Sequence, residues 1–256
     1  MNQETFQIFL WVMSAVALVV FIALYFVKAG YGMFRTASWG ISINNKLAWV
    51  LMEAPVFILM FGLWGKSGAG FAVPVYFFFL LFQLHYLQRA FIFPFVLKGK
   101  SRMPVAIMAM GIVFNLLNGM MQAGGLFYFA PEGLYADGWA YLLKPHALLG
   151  IILFFAGMFV NLHSDYVIRH LRRPGDTKHY LPGKGLYRYV TSANYFGELV
   201  EWTGFAILTA SPAAWVFVWW TFANLVPRAD AIHRRYREEF GDEAVGKRKR
   251  IIPFLY

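Results

Sequence analysis

The stretch IFLWVMSAVALVVFIALYFV, residues 8–27, contains no charged side chain. About 20 consecutive apolar residues are needed for an α-helix to cross the hydrocarbon core of a bilayer. A cleaved signal peptide usually has a basic start and a shorter apolar core, whereas this chain begins MNQET. We therefore interpret the segment as a retained transmembrane helix.

Similar apolar runs recur along the chain, at 47–64, 71–97, 104–130, 139–160, 194–209 and 213–226. Continuous runs of this kind, without period-two alternation, favour helices over a transmembrane barrel. The short turn ASPAA joins the last two runs and predicts a tight helical hairpin. The sequence therefore predicts an all-α, polytopic membrane protein with seven transmembrane helices in a single domain, residues 1–256.

The basic residues indicate how the chain is oriented. All but Lys66, Arg89 and Lys144 of the 23 lysines and arginines lie in the loops after the first, third and fifth spans or in the C-terminal tail. Cytoplasmic loops of membrane proteins carry this excess of positive charge. We therefore predict an outside N-terminus and a cytoplasmic C-terminus.

The bulk composition narrows the class of protein. Only 14% of the residues are charged, against about 25% in soluble domains. The net charge of +10 would fit a nucleic-acid binder, but its placement in alternate loops predicts the lipid bilayer as partner and no nucleic acid. The absence of cysteine excludes disulfides and thiolate metal ligands. We expect a multi-pass protein of a bacterial inner membrane.

Several polar side chains continue into the predicted spans. Glu53 lies in LAWVLMEAPVF, and Tyr86 lies in QLHYLQRAF. Asn115, Asn118 and Gln122 follow one another at i, i+3 and i+7, so they share one helix face. Hydrogen bonding between helices would explain any one of these residues. Polar groups in several spans together predict a polar pocket inside the bundle.

The segment NYFGELVEW places more polar groups at membrane depth. Asn194, Glu198 and Glu201 are spaced to share one face of a helix, and Asn161 and Asp165 end the preceding span. Phosphates bind Arg and Lys, while ribose hydroxyls and a carboxamide pair with Asp, Glu and Asn. A polar pocket with a basic rim therefore fits a dinucleotide. Neither a Rossmann nor a P-loop fingerprint is present, so the helical bundle itself would have to bind it.

Longer segments resemble one enzyme family. VNLHSDYVIRHLRRPGD, GKGLYRYVTSANYFGELVEWTGFA, NLVPRADAIHRRYREEF and KRKRIIPFLY are similar to the C-terminal half of steroid 5α-reductases, and AWVLMEAPVF and LHYLQRAFIF are similar to their N-terminal half. The resemblance covers roughly the whole chain. It implies a membrane enzyme that uses NADPH to reduce the 4,5 double bond of a lipophilic 3-oxo-Δ4-steroid, with hydride transfer to C5.

The resemblance also implies roles for individual residues. It assigns Glu53 and Tyr86 to the substrate ketone, and we add Met52, Asn115, Asn118 and Gln122 as a predicted substrate pocket. Many relatives have Gln where this chain has Met52, and Met cannot donate a hydrogen bond. The arrangement of donors at the ketone is therefore expected to differ here.

The remaining assignments concern NADPH. The resemblance implies a cofactor site made of Asn161, Asp165, Arg172, Tyr189, Asn194, Glu198, Arg228, His233 and Tyr236, to which we add Lys100. Arg172, Arg228 and Lys100 suit the phosphates, with Arg188 as a further candidate. We expect Glu201 to pair with an arginine and fix helix packing. No metal is predicted. Residues 1–130 would supply the substrate pocket and 139–256 most of the NADPH site, facing the cytoplasm.

Other functions stay open at this point. Related reductases act on enoyl thioesters or polyprenols with the same cofactor. A membrane methyltransferase of the isoprenylcysteine type would use S-adenosylmethionine in a similar C-terminal helical site. A transporter is disfavoured because the chain shows no internal repeat. The sequence leaves the oligomeric state open and is compatible with a monomer.

Overall fold

The computed structural model describes residues 1–172, 176 and 178–256 and is built mainly of helices. In chain order these are α1 (Gln3–Phe26), α2 (Asn45–Ser67), α3 (Val75–Leu87), α4 (Phe93–Val96), α5 (Val105–Ala123), α6 (Trp139–Leu142), α7 (Pro145–Arg169), α8 (Ala193–Thr209), α9 (Pro212–Phe240) and α10 (Asp242–Val245). Arg173, one of the basic loop residues, lies outside the described residues.

Within the described part of the chain, five helical segments are long and apolar enough to cross a bilayer. They are Gln3–Phe26, Asn45–Ser67, Val75–Val96, Val105–Tyr128 and Pro145–Arg169. Helices also form at the sixth and seventh predicted spans, although α8 has only 17 residues and α9 ends in a charged half. Seven crossings and the orientation of the termini therefore remain predictions. The tight hairpin is confirmed, since only Ala210 and Ser211 separate α8 from α9.

The bounds of the fifth span differ from the prediction of 139–160. Helix α7 begins at Pro145 and extends to Arg169, and residues 139–142 form the separate helix α6. Proline is well suited to the first turn of a helix, where its missing N–H costs nothing. The polar sequence NLHSDY continues the helix because its amide, on Asn161, and its carboxylate, on Asp165, contact α8, as described below.

Two of the helices contain a π-helical turn. The third span passes from α3 through a π turn at Gln88–Ile92, and α5 continues into one at Gly124–Tyr128. An extra residue in a turn rotates the side chains that follow it, and such bulges are frequent at functional sites. The sequence pattern did not predict either turn.

Glycines bring α7 and α8 into close contact. A Cβ added at Gly157 would lie 2.2 Å from the backbone nitrogen of Glu201 and 2.6 Å from the carbonyl oxygen of Gly197. A Cβ added at Gly150 would lie 2.7 Å from the carbonyl oxygen of Gly204. Small residues at such spacing let two membrane helices pack backbone to backbone. The polar ends of α7 and α8 are thereby held side by side.

Short backbone pairings hold the loops at the ends of the helices. Strand β1 (Ser42–Asn44) pairs antiparallel with β2 (Arg102–Pro104), directly before α2 and α5 begin. At the C-terminal end, Thr191 N and Ser192 N donate to the carbonyls of Lys249 and Arg250 at 2.9 and 3.0 Å. These contacts fix the chain that leads into α8.

Candidate active site

Glu53 lies on the inner face of α2 and is only 9% exposed. Its Oε2 accepts a hydrogen bond from Asn115 Nδ2 on α5 at 3.0 Å. The same amide nitrogen donates to the carbonyl oxygen of Met52 at 2.8 Å. The carboxyl group is therefore held between α2 and α5, and its second oxygen, Oε1, has no hydrogen bond within the described part of the chain.

Tyr86 lies on α3 and is 3% exposed. Its hydroxyl oxygen accepts a hydrogen bond from Asn118 Nδ2 at 3.0 Å. Asn118 Oδ1 in turn accepts from Gln122 Nε2 at 3.3 Å, and Gln122 also donates to the carbonyl of Ala213 at 3.0 Å. The predicted amide face of α5 is thus confirmed as a buried row of hydrogen-bonding groups. A direct role of these amides in binding substrate stays a prediction.

Glu53 and Tyr86 are brought together by α5. Their amide partners, Asn115 and Asn118, are three residues apart and so lie on one face of that helix. Both acid and phenol are enclosed by the bundle and do not face lipid. Met52 is partly exposed, and its Sδ would lie 2.3 Å from a Cβ at Gly111, so its side chain packs directly on that glycine.

A second polar cluster forms where the C-terminal part of α7 meets the start of α8. Asn194 Nδ2 donates to Asp165 Oδ1 at 3.2 Å, and Asn161 Nδ2 donates to the carbonyl of Asn194 at 3.0 Å. Tyr187, on the short turn Gly185–Arg188, donates to Asn194 Oδ1 at 3.3 Å. Burial, reinforced by the nearby Asp165 carboxylate, raises the pKa of Tyr187 well above its ordinary value, so the phenol stays protonated.

Arg89 contacts the second cluster and was not assigned to the site from the sequence. It lies in the π turn after α3, and its guanidinium is 3.5 Å from Asp165 and 3.9 Å from Glu198. Its charged group also stacks over the rings of Trp49 and Phe93, at 5.0 and 4.7 Å from their centroids. A lone arginine in an apolar run was the signal that could have identified it.

Arg169 is a second arginine that sequence reasoning missed. It follows Asp165 by one helical turn at the end of α7. Its Nη1 is buried and has no hydrogen-bond partner among the described residues. A buried donor without a partner is costly, and an anionic ligand group would satisfy it.

Arg228, predicted to bind phosphate, is occupied by other contacts. Its Nε donates to the hydroxyl of Tyr195 at 2.9 Å, and its Nη atoms donate to the carbonyls of Ala29 and Tyr31 at 3.3 and 3.1 Å. The guanidinium also lies 3.6 Å from the ring centroid of Tyr31. Arg228 therefore holds the loop after α1 against α9 in this structure.

The other predicted cofactor residues are not hydrogen-bonded to this cluster where the structure describes them. In the described part of the chain, no side-chain hydrogen bond links Asn194, Asp165 or Glu198 to Lys100, Arg172, Tyr189, His233 or Tyr236. Lys100 and Arg172 are exposed, and Tyr189 is 43% exposed. Tyr189 and Arg188 line a basic surface cavity of about 530 Å³ together with Arg248, Lys249 and Phe254.

His233 lies beyond the predicted span 213–226, on the charged half of α9. Its Nδ1 is 3.3 Å from the hydroxyl of Thr191. Burial lowers the pKa of His233, and the nearby Arg250 and Arg237 lower it further. His233 is therefore neutral at pH 7 and supports the loop before α8.

The pairing expected for Glu201 is wrong. Among the residues that the structure describes, its carboxylate contacts no arginine, and it lies 2.7 Å from Nδ1 of His85, on α3. Both side chains are buried, at 1% and 7% exposure. The face shared by Asn194, Glu198 and Glu201 is real, but its three members have different partners. Asn194 donates to Asp165, Glu198 lies near Arg89, and Glu201 contacts His85.

The fold and this site together define a multi-pass helical membrane protein with a polar interior. The family model described as 3-oxo-5-alpha-steroid 4-dehydrogenase matches residues 101–256. The chain is 36% identical to 3-oxo-5-alpha-steroid 4-dehydrogenase 1 of Bos taurus, covering 94% of this chain and 93% of that protein. It is also 36% identical to steroid 5-alpha-reductase DET2 of Gossypium hirsutum, covering 100% and 99%.

A third relative, 3-oxo-5-alpha-steroid 4-dehydrogenase 1 of Homo sapiens, is 37% identical over 88% of this chain and 86% of its own length. Similarity at this level extends over both halves of the molecule, including the segments that carry Glu53 and Tyr86. The chain belongs to the steroid 5α-reductase family.

Proposed function

We propose that the protein reduces the 4,5 double bond of 3-oxo-Δ4-steroids with NADPH. The observation that carries the proposal is the enclosed pair of Glu53 and Tyr86, each held by an amide of α5. The names of the relatives support a reductase of 4-ene steroids, and reductases of this kind use a nicotinamide cofactor. We assign NADPH as that cofactor, and we assign Glu53 and Tyr86 to the substrate ketone.

The hydrogen bonds leave both groups able to act on a ketone. Because Asn118 donates to the hydroxyl oxygen of Tyr86, the phenolic proton is free to be donated elsewhere. Asn115 occupies only one oxygen of Glu53. In a conjugated enone, negative charge develops on the 3-oxygen as the β carbon is reduced. Donors placed at that oxygen stabilise the transition state more than the ground state.

The residues around Asn194 fit a dinucleotide. NADPH, when bound, supplies the hydride that adds to C5, and a proton then adds to C4. The amides of Asn161 and Asn194 and the carboxylates of Asp165 and Glu198 suit ribose hydroxyls and the carboxamide. The unpartnered Nη1 of Arg169 suits an anionic group. Arg89, between Asp165 and Glu198, would hold this cluster beside the substrate half.

The phosphates need cations that are available. Lys100, Arg172 and Arg188 are exposed and remain candidates. Arg228 would have to exchange its carbonyl partners for phosphate oxygens. In this proposal residues 1–130 form the substrate pocket, which includes Met52 and Gln122, and residues 139–256 form most of the cofactor site. The cofactor site faces the cytoplasm, and the steroid enters from the bilayer.

Purified protein tests the proposal directly. We expect NADPH oxidation with testosterone or progesterone and a product saturated at C4–C5. Glu53→Gln and Tyr86→Phe should each lower turnover by about 100-fold or more while the Kd for NADPH stays within about threefold. Thr221→Val is a matched control, because its buried hydroxyl bonds only to its own helix.

The same preparation separates the other functions. Only a true cofactor should raise the thermal midpoint strongly, so NADPH and S-adenosylmethionine are titrated side by side. Stabilisation by S-adenosylmethionine alone would refute the proposal in favour of a methyltransferase. Reduction of enoyl thioesters or polyprenols without reduction of 3-oxo-Δ4-steroids would support NADPH as the cofactor but reject the steroid as the substrate.

A further inference from the structure

The contact between His85 and Glu201 is not used by the proposed chemistry. Nδ1 of His85 and Oε1 of Glu201 lie 2.7 Å apart, and the two residues are 116 positions apart in the sequence. An ionisable pair at membrane depth is costly unless its members satisfy each other. Among the described residues, Arg89 forms its ion pairs with Asp165 and Glu198, so the hydrogen bond between His85 and Glu201 is a distinct contact between α3 and α8.

His85, together with the neighbour of Glu201, packs against the ring of Tyr86. His85 immediately precedes Tyr86 on α3, and their rings are 5.0 Å apart in a T-shaped arrangement. Trp202, which follows Glu201, lies 4.5 Å from the ring of His85 and 6.1 Å from that of Tyr86. The ring of Tyr86 therefore packs against His85 itself and against Trp202, the residue that follows Glu201.

Glu201 belongs to α8, the helix that also carries Asn194 and Glu198 of the second polar cluster. Glu201 lies one turn after Glu198 and two turns after Asn194 on the same face of α8. The backbone of α8 at Glu201 is also where Gly157 makes its closest approach from α7. The hydrogen bond thus ties the helix of the phenol to the helix of Asn194 and Glu198.

We infer that His85 and Glu201 are positioning residues that set the distance between the ketone donor and the nicotinamide. This inference rests on the proposed function. Hydride transfer requires reacting atoms about 3 to 3.5 Å apart, and a misplacement of about 1 Å costs on the order of 100-fold in rate. A fixed hydrogen bond between the two helices supplies that precision without touching substrate.

Two substitutions at Glu201 test the pair. Glu201→Ala should lower kcat at saturating substrate by about 10- to 100-fold, with the Kd for NADPH changed by less than about threefold. Glu201→Gln should recover most of the lost rate, since an amide oxygen still accepts from the His85 N–H. Deuterium at the transferred position of NADPH should give a larger isotope effect in Glu201→Ala than in the parent protein.

A readout without cofactor checks the contact itself. In protein labelled with nitrogen-15 histidine, the Nδ1 signal of His85 should show the buried hydrogen bond to Glu201, and that signal should be lost in Glu201→Ala and kept in Glu201→Gln. The Nδ1 atoms of His170 and His179 also lie near oxygens, but those contacts are exposed and should not change in either variant. Tyr141→Phe is the control, because it removes another buried bond to α8, at Leu208 O, away from the site. It should lower the thermal midpoint while kcat stays unchanged.

The outcomes separate the two proposals. If the parent protein reduces the steroid and Glu201→Ala keeps its kcat and isotope effect, the positioning role is rejected and the proposed function stands. Equal losses of kcat in Glu201→Ala and Tyr141→Phe would also reject it, as a general effect of stability. A parent protein that does not oxidise NADPH with any 3-oxo-Δ4-steroid would reject the proposed function and the positioning role together.

Discussion

Substituting Gly157 by alanine tests whether the second polar cluster depends on the close packing of α7 against α8. The added Cβ would lie 2.2 Å from Glu201 N, 2.6 Å from Glu201 Cα and 2.6 Å from Gly197 O. All three are backbone atoms, so no side chain can rotate away. Ordinary contact begins at 3.4 Å, and the 1.2 Å shortfall must be met by separating α7 from α8.

The separation acts on two hydrogen bonds one to two turns away. Asn161 Nδ2 to Asn194 O is 3.0 Å and Asn194 Nδ2 to Asp165 Oδ1 is 3.2 Å, so a further 1 Å breaks both. Each is worth about 1 kcal/mol. If both serve to preorganise the cofactor site, the Kd for NADPH should rise by about 30-fold. Overpacking should also cost about 1–3 kcal/mol of stability.

Both effects are measurable on detergent-purified protein. The Kd is obtained from quenching of tryptophan fluorescence by NADPH, and stability from the thermal midpoint. Gly62→Ala is the matched control, because nothing lies within 4 Å of a Cβ at that helical position. It should be neutral or stabilising by about 0.5–1 kcal/mol. A Gly157→Ala protein with unchanged Kd and midpoint would refute the close packing of α7 and α8.

Three further predictions concern other parts of the molecule. Asn118→Leu keeps the branched shape of the side chain but removes the amide that donates to Tyr86, so kcat should fall by about 10-fold with an unchanged Kd for NADPH. An unchanged kcat would show that the phenol needs no such support. The folded-state pKa of His233 is below its unfolded value of about 6.5. The protein should therefore lose stability as the pH falls from about 6.5 towards the folded-state pKa. His233→Gln should flatten this acidic part of a plot of thermal midpoint against pH. Because the chain has no cysteine, single substitutions Lys66→Cys and Lys247→Cys report topology. In intact cells an impermeant maleimide should label only Lys66→Cys, and labelling of Lys247→Cys would reverse the predicted orientation.

The sequence by itself determined the helices and the polarity of their faces. Residues 8–27 predict a membrane-spanning helix, because a helix satisfies its own backbone hydrogen bonds and an uncharged run of that length can place its side chains in lipid. The structure has a helix of that length and apolarity there. The spacing of Asn115, Asn118 and Gln122 placed them on one face because an α-helix repeats every 3.6 residues. These are local properties, and the structure retains them. The family resemblance added the residues at the ketone and the cofactor.

Only the tertiary structure decided which polar groups meet. Glu201 pairs with His85 and not with an arginine, Arg89 takes the carboxylates of α7 and α8, and Arg228 holds the loop after α1. A helical period fixes the direction of a side chain relative to its own axis. The partner of that side chain depends on how helices distant in sequence cross, and here glycines let α7 and α8 approach closely. The glycines of α7 and α8 recur at a seven-residue spacing in the sequence, but that spacing does not say which helix packs against which.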